Sequence, residues 1–282
     1  MNSVAAAAGD FLTQMAAGSH ARVAAARRVA DEASLLARAL ASAPAPRLRL
    51  SPQGFDLIAE VKLRSPALGI LGGADEDLAM RVTQYAGAGA AAISVLTEPS
   101  RFDGALEHLQ LAAGALGTRA PAMRKDFIVD PYQVIEARAA GAGGVLAILR
   151  MIPPEATAAL LDMAARLGLF VLLEAFDEAD LTLADALLRS HQARALAADA
   201  PLLVGVNCRD LVTLRVVPNR LEQLAPLLPR AAPRVAESGV ESAGDIARLR
   251  RAGYDAALVG GALMKSADPA VKVRELLAAG RA

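Results

Sequence analysis

The chain has 282 residues, 54% of them hydrophobic, and its 30 basic side chains equal its 30 acidic side chains in number. This balance does not favour binding to nucleic acid or to a membrane surface. The single cysteine, Cys208, excludes an internal disulfide. The three histidines are scattered without the spacing of metal ligands, so a bound catalytic metal is not expected.

The N-terminal region, residues 1–50, is predicted to be a helical extension packed on the domain that follows. The segment from Phe11 to Leu40 has a helical pattern, and Ala43-Pro-Ala-Pro46 ends it. A frayed tail is the alternative. The region lacks the basic leader of a secretory signal, and no apolar run reaches the roughly 18 residues of a membrane span. A cytoplasmic location is therefore expected.

Residues 51–282 contain eight short apolar runs that are typical of strands covered on both faces. Their ends lie about 23 to 34 residues apart, which is the length of one strand–helix unit. Eight such units predict an α/β fold, a single (β/α)8 or TIM barrel that forms the catalytic domain. The predicted strands are Asp56–Lys62, Ala91–Leu96, Pro121–Lys125, Gly144–Leu149, Leu169–Glu174, Leu202–Asn207, Arg234–Glu237 and Ala256–Gly260.

Helices are predicted between these strands. One runs from Asp130, which can cap it, to Gly141, and another runs from Ser242 to Gly253. Two further glycines that precede strands are predicted to end helices in the same way, Gly87 and Gly168. Asp75-Glu-Asp77 is interpreted as a solvated helix start.

Polar side chains stand where the apolar runs stop. In a parallel barrel these ends form the active face. The candidate catalytic residues are Glu60, Lys62, Lys125, Glu174, Asn207 and Glu237. Glu60 and Lys62 are two apart and so share one face of their strand. A structural ion pair inside the barrel is the alternative interpretation of these two residues.

Lys125 is predicted to be desolvated among other cations, with a lowered pKa, and to act as a general acid or base. Its neighbour Arg124 is expected to face outward by alternation. The alternative is that Lys125 only neutralises nearby carboxylates. Arg209 follows the sixth strand, where its guanidinium can grip a carboxylate or phosphate through two hydrogen bonds.

Glycines after the seventh and eighth strands predict a phosphate site, because loops at these places commonly bind phosphate through backbone N–H groups. The candidates are Ser238, Gly239, Gly260 and Gly261, with Ser65 adding a hydroxyl. A tight strand-to-helix turn would also select glycine. Phe102 and Phe127 are placed in loops, where they line a pocket for an aromatic ring or simply pack. Cys208 has no histidine near it in the sequence, so it is not expected to be a nucleophile.

These residues make the chain similar to the indole-3-glycerol phosphate synthase family over roughly residues 55 to 275. The most specific matches are the Arg-Lys-Asp-Phe and Ser-Val-Leu-Thr-Glu stretches. The matching segments are Ile58-Ala-Glu-Val-Lys-Leu-Arg-Ser-Pro66, Ala92-Ile-Ser-Val-Leu-Thr-Glu98, Arg124-Lys-Asp-Phe-Ile-Val-Asp-Pro-Tyr-Gln133, Gly205-Val-Asn-Cys-Arg-Asp-Leu211, Ala236-Glu-Ser-Gly239 and Leu258-Val-Gly260.

The resemblance implies ring closure of 1-(2-carboxyphenylamino)-1-deoxyribulose 5-phosphate, with loss of carbon dioxide and water, and no cofactor or metal. It implies that Lys125 is the general acid, that Lys62 lies near the substrate carboxylate, and that Glu174 is a base or stabilises a cation. It also implies that Glu60, Asn207 and Glu237 hold this network in place and that Arg209 and Ser238 line the mouth. Ser65, Gly239 and Gly260 would then bind the phosphate, and Phe102 and Phe127 would form the hydrophobic walls.

Several positions depart from the family pattern, mostly by losing hydroxyl and charged groups around the phosphate site. The departures are Ala67-Leu-Gly69, Gly261-Ala262, Asp103-Gly-Ala105, Ala175-Phe176 and Cys208. A diverged paralogue acting on a related compound is therefore one alternative. A different phosphate-binding barrel enzyme and a non-catalytic barrel are two others. The chain is expected to be a monomer that makes at most transient contact with other enzymes of tryptophan biosynthesis.

Overall fold

A computed structural model describes residues 2–44, 46–51, 54–72, 76–211 and 213–282, with side chains from residue 11 onward. Eight parallel strands close into a barrel in which each strand pairs with its neighbours in chain order and the last pairs with the first. The predicted (β/α)8 barrel is confirmed. The strands are Asp56–Val61, Ala92–Leu96, Ala122–Lys125, Gly144–Ile148, Phe170–Ala175, Leu202–Asn207, Arg234–Glu237 and Ala256–Val259.

Helices surround the barrel and precede it. Two begin the chain, Asn2–Val29 and Glu32–Ala41. The longer helices of the barrel layer are Leu78–Gly87, Leu106–Leu116, Pro131–Ala139, Pro154–Leu167, Glu178–Ala197, Ala243–Ala252 and Pro269–Arg281. Shorter helical turns are Pro99–Phe102, Arg220–Leu224, Ala225–Leu227 and Gly261–Met264. Among the helices of the described ranges, none combines the length and apolarity needed to cross a membrane.

Side chains alternate between two apolar layers along each strand, as the period of a strand requires. On the first strand Ile58 points into the barrel, whereas Leu57 and Ala59 pack outward against the helices. This alternation places Glu60 on the inward face and carries it to the C-terminal mouth.

The N-terminal region forms two helices rather than the one predicted from Phe11 to Leu40. The break falls at Asp31, whose carboxylate accepts a hydrogen bond from the Ser34 backbone N–H and so caps the second helix. A capping side chain at this point ends the first helix and starts the second. The first helix buries Leu12 and Met15 in the interior apolar cluster that contains Phe127.

The predicted helix ends are confirmed at Gly141, Gly168 and Gly253, which have positive φ angles. The helix Leu78–Gly87 also ends at the predicted glycine, but Gly87 is itself the last helical residue, and the left-handed conformation falls on Gly89, with a φ of 103°. The start of this same helix is capped by Asp77, whose carboxylate accepts from the Met80 backbone N–H, whereas Asp75 lies outside the described residues.

Candidate active site

The C-terminal mouth of the barrel holds a cavity of about 240 Å³, called the mouth cavity below. All the candidate site residues from the sequence line it. They are Glu60, Lys62, Ser65, Phe102, Lys125, Phe127, Glu174, Asn207, Arg209, Glu237, Ser238, Gly239, Gly260 and Gly261. Residues as far apart in the chain as Glu60 and Gly261 meet here because the ends of parallel strands share one face of the barrel.

Glu60 and Lys62 form an ion pair on the first strand. The Lys62 ammonium donates to Glu60 Oε1, and the two side chains are only 14% and 4% exposed. Gly260 at the end of the eighth strand leaves room for this pair, since a Cβ there would collide with Glu60 and lie 3.0 Å from Lys62 Nζ. The glycine therefore serves a close side-chain approach as well as a turn.

Lys125 ends the third strand with its ammonium 3.1 Å from Glu174 Oε2. Burial lowers the pKa of Lys125, but the negative charge of the surrounding carboxyl groups, above all that of Glu174, outweighs it and raises the pKa above its ordinary value. The predicted lowering among cations is wrong, because the neighbours are carboxylates. Lys125 is consequently protonated at neutral pH, as a proton donor must be.

Glu237 and Asn207 end neighbouring strands in register. The Asn207 carboxamide oxygen accepts from the Arg209 N–H at 2.9 Å, and this fixes the turn that leaves the sixth strand. The adjoining Cys208 thiol is buried and donates to the Ser238 carbonyl. Burial raises the pKa of this thiol to about 11, so it is neutral at ordinary pH and has the properties of a packing residue.

The loop after the sixth strand folds over the mouth cavity. Arg209 donates to the Leu214 carbonyl at 2.6 Å and pairs with Val216 in an isolated bridge. Leu211, Leu214 and Val216 line the cavity. These three were not predicted from the sequence, since an apolar loop side chain gives no sequence signal that separates a cavity wall from packing.

The aromatic side chains cluster on one wall of the cavity. The rings of Phe102 and Phe127 lie 6.4 Å apart, and the ring of Phe11 meets that of Phe127 edge-on at 5.9 Å. Phe102 lies in the short helix Pro99–Phe102, not in a loop as predicted. Phe11 comes from the N-terminal helix and was missed, because its contact crosses more than a hundred residues of chain.

The residues predicted to bind phosphate line the same cavity. Ser65 is buried in a small hairpin, Arg64–Ser65 with Gly69–Ile70, that follows the first strand. Its hydroxyl accepts from the Ala67 N–H at 3.3 Å. Gly239 has a φ of 71°, a conformation that favours glycine. A Cβ on Gly261 would lie 3.0 Å from a methyl of Leu68, so the hairpin sits close over this end of the cavity.

A second charged cluster lies behind the third strand, and it is called the outer network below. Arg124 faces outward, as predicted, and its guanidinium donates to Thr97, Asp126 and Glu136 and to the Gln133 carbonyl. Asp126 also accepts from Arg22 of the N-terminal helix at 2.6 Å. The sequence analysis missed Arg22, because a basic residue on a helix is usually solvated.

Within the described ranges, no group of three or more His, Cys, Asp or Glu side chains is placed to hold a metal ion. The chemistry visible at the mouth is that of two ammonium groups, Lys62 and Lys125, set among the carboxyl groups Glu60, Glu174 and Glu237.

An eight-stranded parallel barrel with paired lysines and carboxyl groups at its C-terminal mouth defines a (β/α)8-barrel enzyme equipped for acid–base chemistry. The model of the family described as indole-3-glycerol phosphate synthase matches residues 12–276. The chain therefore belongs to the indole-3-glycerol phosphate synthase family.

Curated relatives support this membership. An indole-3-glycerol phosphate synthase of a Nocardioides species is 45% identical over 233 residues, which cover 83% of each chain. The enzyme of the same name from Mycobacterium leprae is 41% identical over 259 residues, 91% of this chain and 90% of the relative.

Solved structures show the same fold at low identity. The 3-hexulose-6-phosphate synthase of Salmonella typhimurium gives a TM-score of 0.58 at 17% identity, covering 80% of this chain and 98% of that one. Orotidine 5'-phosphate decarboxylase from Pyrococcus horikoshii gives 0.54 at 13%, covering 81% and 99%. At this identity the likeness is evidence of the barrel fold alone.

Proposed function

We propose that the mouth cavity performs the indole-3-glycerol phosphate synthase reaction with Lys125 as general acid, Glu174 as base, and Lys62 beside the substrate carboxylate. Family membership makes the chain a carboxy-lyase of tryptophan biosynthesis that acts on a phosphorylated small molecule. The observation that carries the residue roles is the Lys125 ammonium, held 3.1 Å from Glu174 in a cavity with an aromatic wall.

Ring closure is the first step. The ring carbon that bears the carboxylate attacks the ketone carbon of the substrate, and a new carbon–carbon bond forms as the carbonyl bond opens. Lys125 donates its proton to the oxygen that becomes a hydroxyl. A positioned acid of this kind contributes about 10² to 10⁴ in rate.

Loss of carbon dioxide and of water completes the reaction. Carbon dioxide leaves from the ring carbon, and its bonding electrons restore aromaticity. The hydroxyl then leaves as water with a proton from Lys62, while Glu174 accepts a proton from the carbon beside the nitrogen. Substrate thus becomes indole-3-glycerol phosphate, carbon dioxide and water. No step is a redox step, so the proposal requires no cofactor.

The walls of the cavity suit the three parts of this substrate. Phe102 and Phe127 provide a surface for the anthranilate ring, and Lys62 and Arg209 provide cations for its carboxylate. The phosphate is assigned to the glycine-rich wall, whose candidate residues are Ser65, Ser238, Gly239, Gly260 and Gly261. Asn207, Glu60 and Glu237 support the acid and the base. Holding both reacting ends together removes much of the barrier.

The test is turnover of 1-(2-carboxyphenylamino)-1-deoxyribulose 5-phosphate, followed by indole fluorescence, in wild type and Lys125→Ala. Indole-3-glycerol phosphate formed by wild type and lost in the variant supports the assignment. A folded wild type that forms none would refute the proposal and would make the departures at Ala67, Gly261 and Ala262 marks of a changed substrate.

Three further assignments belong to the proposal. Residues 1–50 act as an extension of a barrel domain at 51–282, supported by the contacts of Leu12 and Met15 with the barrel interior. The chain works as a monomer with transient contacts to pathway enzymes, and gel filtration with and without those enzymes tests this assignment. It works in the cytoplasm, and fractionation of cells tests that location.

A further inference from the structure

Among the described residues Glu237 has no hydrogen-bond donor, in contrast to Glu60 and Glu174, which accept from Lys62 and Lys125. Its side chain ends the seventh strand and is 1% exposed. Among the described residues, neither of its carboxyl oxygens has a partner. An ionised carboxylate in such a place loses its hydration and gains nothing in return, a cost that groups in proteins usually avoid by becoming neutral.

A glycine on the neighbouring strand provides the space for this carboxyl group. A Cβ at Gly205 would collide with Glu237 Oε1, and it would lie 3.1 Å from Glu237 Cδ and 3.1 Å from a methyl of Leu172. Gly205 is in register with Glu174 of the fifth strand and with Val235 of the seventh. The Glu237 carboxyl therefore leans across Gly205 toward the strand that carries Glu174.

The charged groups that face Glu237 are Glu174, Lys125 and Glu60. Burial raises the pKa of Glu237 well above its ordinary value, the negative charge of Glu174 raises it further, and Lys125 opposes both. Lys125 is already hydrogen-bonded to Glu174, and Lys62 is engaged by Glu60. Both lysines of the mouth are therefore paired with other carboxylates, and neither is left to pair with Glu237.

We propose that Glu237 carries a proton and donates it in a hydrogen bond to Glu174, so that the two carboxyl groups hold one negative charge opposite Lys125. This inference rests on the proposed function, in which Lys125 must release a proton. A second negative charge nearby would bind that proton more tightly and weaken the acid. Glu237 is thus a positioning residue that acts through Glu174, and Gly205 makes the arrangement sterically feasible.

Infrared difference spectroscopy of the free protein tests the proton directly. The spectrum of wild type minus Glu237→Gln at neutral pH should contain the C=O stretch of a protonated carboxyl group. The matched control is Glu60→Gln, which removes a carboxylate that already has an ammonium partner and should leave that band in place. An absent band overturns the proposal. The measurement needs no turnover, so its outcome is separate from that of the proposed function.

Kinetics test the same proton through activity. Glu237→Gln keeps a neutral donor and should retain most of the turnover, whereas Glu237→Ala should lose about tenfold, the size expected when a buried hydrogen bond is removed. In wild type, turnover should fall at alkaline pH as the shared proton is lost, and in Glu237→Gln this fall should move to higher pH. Equal losses in both variants, or superimposable pH profiles, would overturn the proposal.

Discussion

Arg124 of the outer network and Lys125 of the mouth cavity point to opposite faces of the same third strand, and the charged groups around them are paired to very different extents. In the outer network Arg124 and Asp126 are nearly inaccessible, at 5% and 1% side-chain exposure, and each has several hydrogen-bond partners. In the cavity Lys125 has one side-chain partner, and Glu237 has none among the described residues.

The difference separates charges that hold the structure from charges that are available for chemistry. A buried ion that is fully hydrogen-bonded strongly destabilises a protein when one partner is removed. A buried titratable group that has few partners does not stabilise the fold, but it can exchange a proton with a ligand. Adjacent residues of one strand, Arg124 and Lys125, therefore have different expected phenotypes.

The largest expected effect is on the inward side. Lys125→Ala should reduce kcat by about 10³, within the range of general acid catalysis, because the proton donor is lost while the fold is kept. Indole fluorescence measures the rate, and thermal unfolding checks the fold. The matched control is Lys272→Ala, which removes a lysine paired only with Glu275 on a surface helix and should leave both unchanged. If Lys125→Ala were unfolded, Lys125 would be needed for stability, and the distinction between structural charges outside the barrel and chemical charges inside it would be wrong.

On the outward side, Asp126→Ala should lower the free energy of unfolding by about 3 kcal/mol, because the buried Arg124 would lose one of its two carboxylate partners and keep only Glu136. Urea unfolding measures this loss. Activity of the protein that remains folded should fall less than in Lys125→Ala. A variant as stable as wild type would show that Arg124 is satisfied by Thr97, Glu136 and the Gln133 carbonyl alone.

Much of the fold could be predicted from the sequence because the barrel repeats one local pattern. Each strand is an apolar run of about the right length, and glycines such as Gly141, Gly168 and Gly253 mark helix ends through a conformation that other residues rarely adopt. The predictions failed where neighbouring residues compete to cap or to end a helix. Asp31 divides the N-terminal helix by capping, and Gly89 rather than Gly87 takes the left-handed position.

The positions of the site residues follow from strand ends, but their electrostatics do not. Alternation places Lys125 inside the barrel, yet the direction of its pKa depends on which side chains arrive from the first, fifth and seventh strands. The sequence separates Lys125 from Glu237 by more than a hundred residues. The same reason hides Phe11 and Arg22, whose contacts with the third strand's loop form only when the extension docks.

The pH dependence of stability sharpens the comparison further. Because the folded pKa of Glu237 is raised, the folded protein keeps a proton that the unfolded chain releases above the ordinary value of 4.5. The free energy of unfolding should then fall as pH rises, by at most about 1.4 kcal/mol per pH unit. Glu237→Gln removes this dependence, so its stability relative to wild type should increase between about pH 5 and about pH 7. A constant difference would mean that Glu237 is ionised in the folded protein.

The smallest expected effect lies where the outer network meets solvent. Arg22 is 31% exposed and joins the N-terminal helix to Asp126 at 2.6 Å and to Glu98 at 3.5 Å. Arg22→Ala should lower the free energy of unfolding by no more than about 1 kcal/mol, because solvent screens a partly exposed pair and Asp126 keeps Arg124.

Arg28→Ala on the same helix is the matched control. Arg28 is exposed, and none of the ion pairs found among the described residues includes it, so its loss should be close to zero. Urea unfolding of the two variants in parallel, with limited proteolysis of the N-terminal helix, measures the difference. Equal values would place Arg22 with the solvated surface charges. A decrease in the free energy of unfolding near that of Asp126→Ala would show that Arg22 belongs to the outer network. The N-terminal helix would then help to hold the third strand in place.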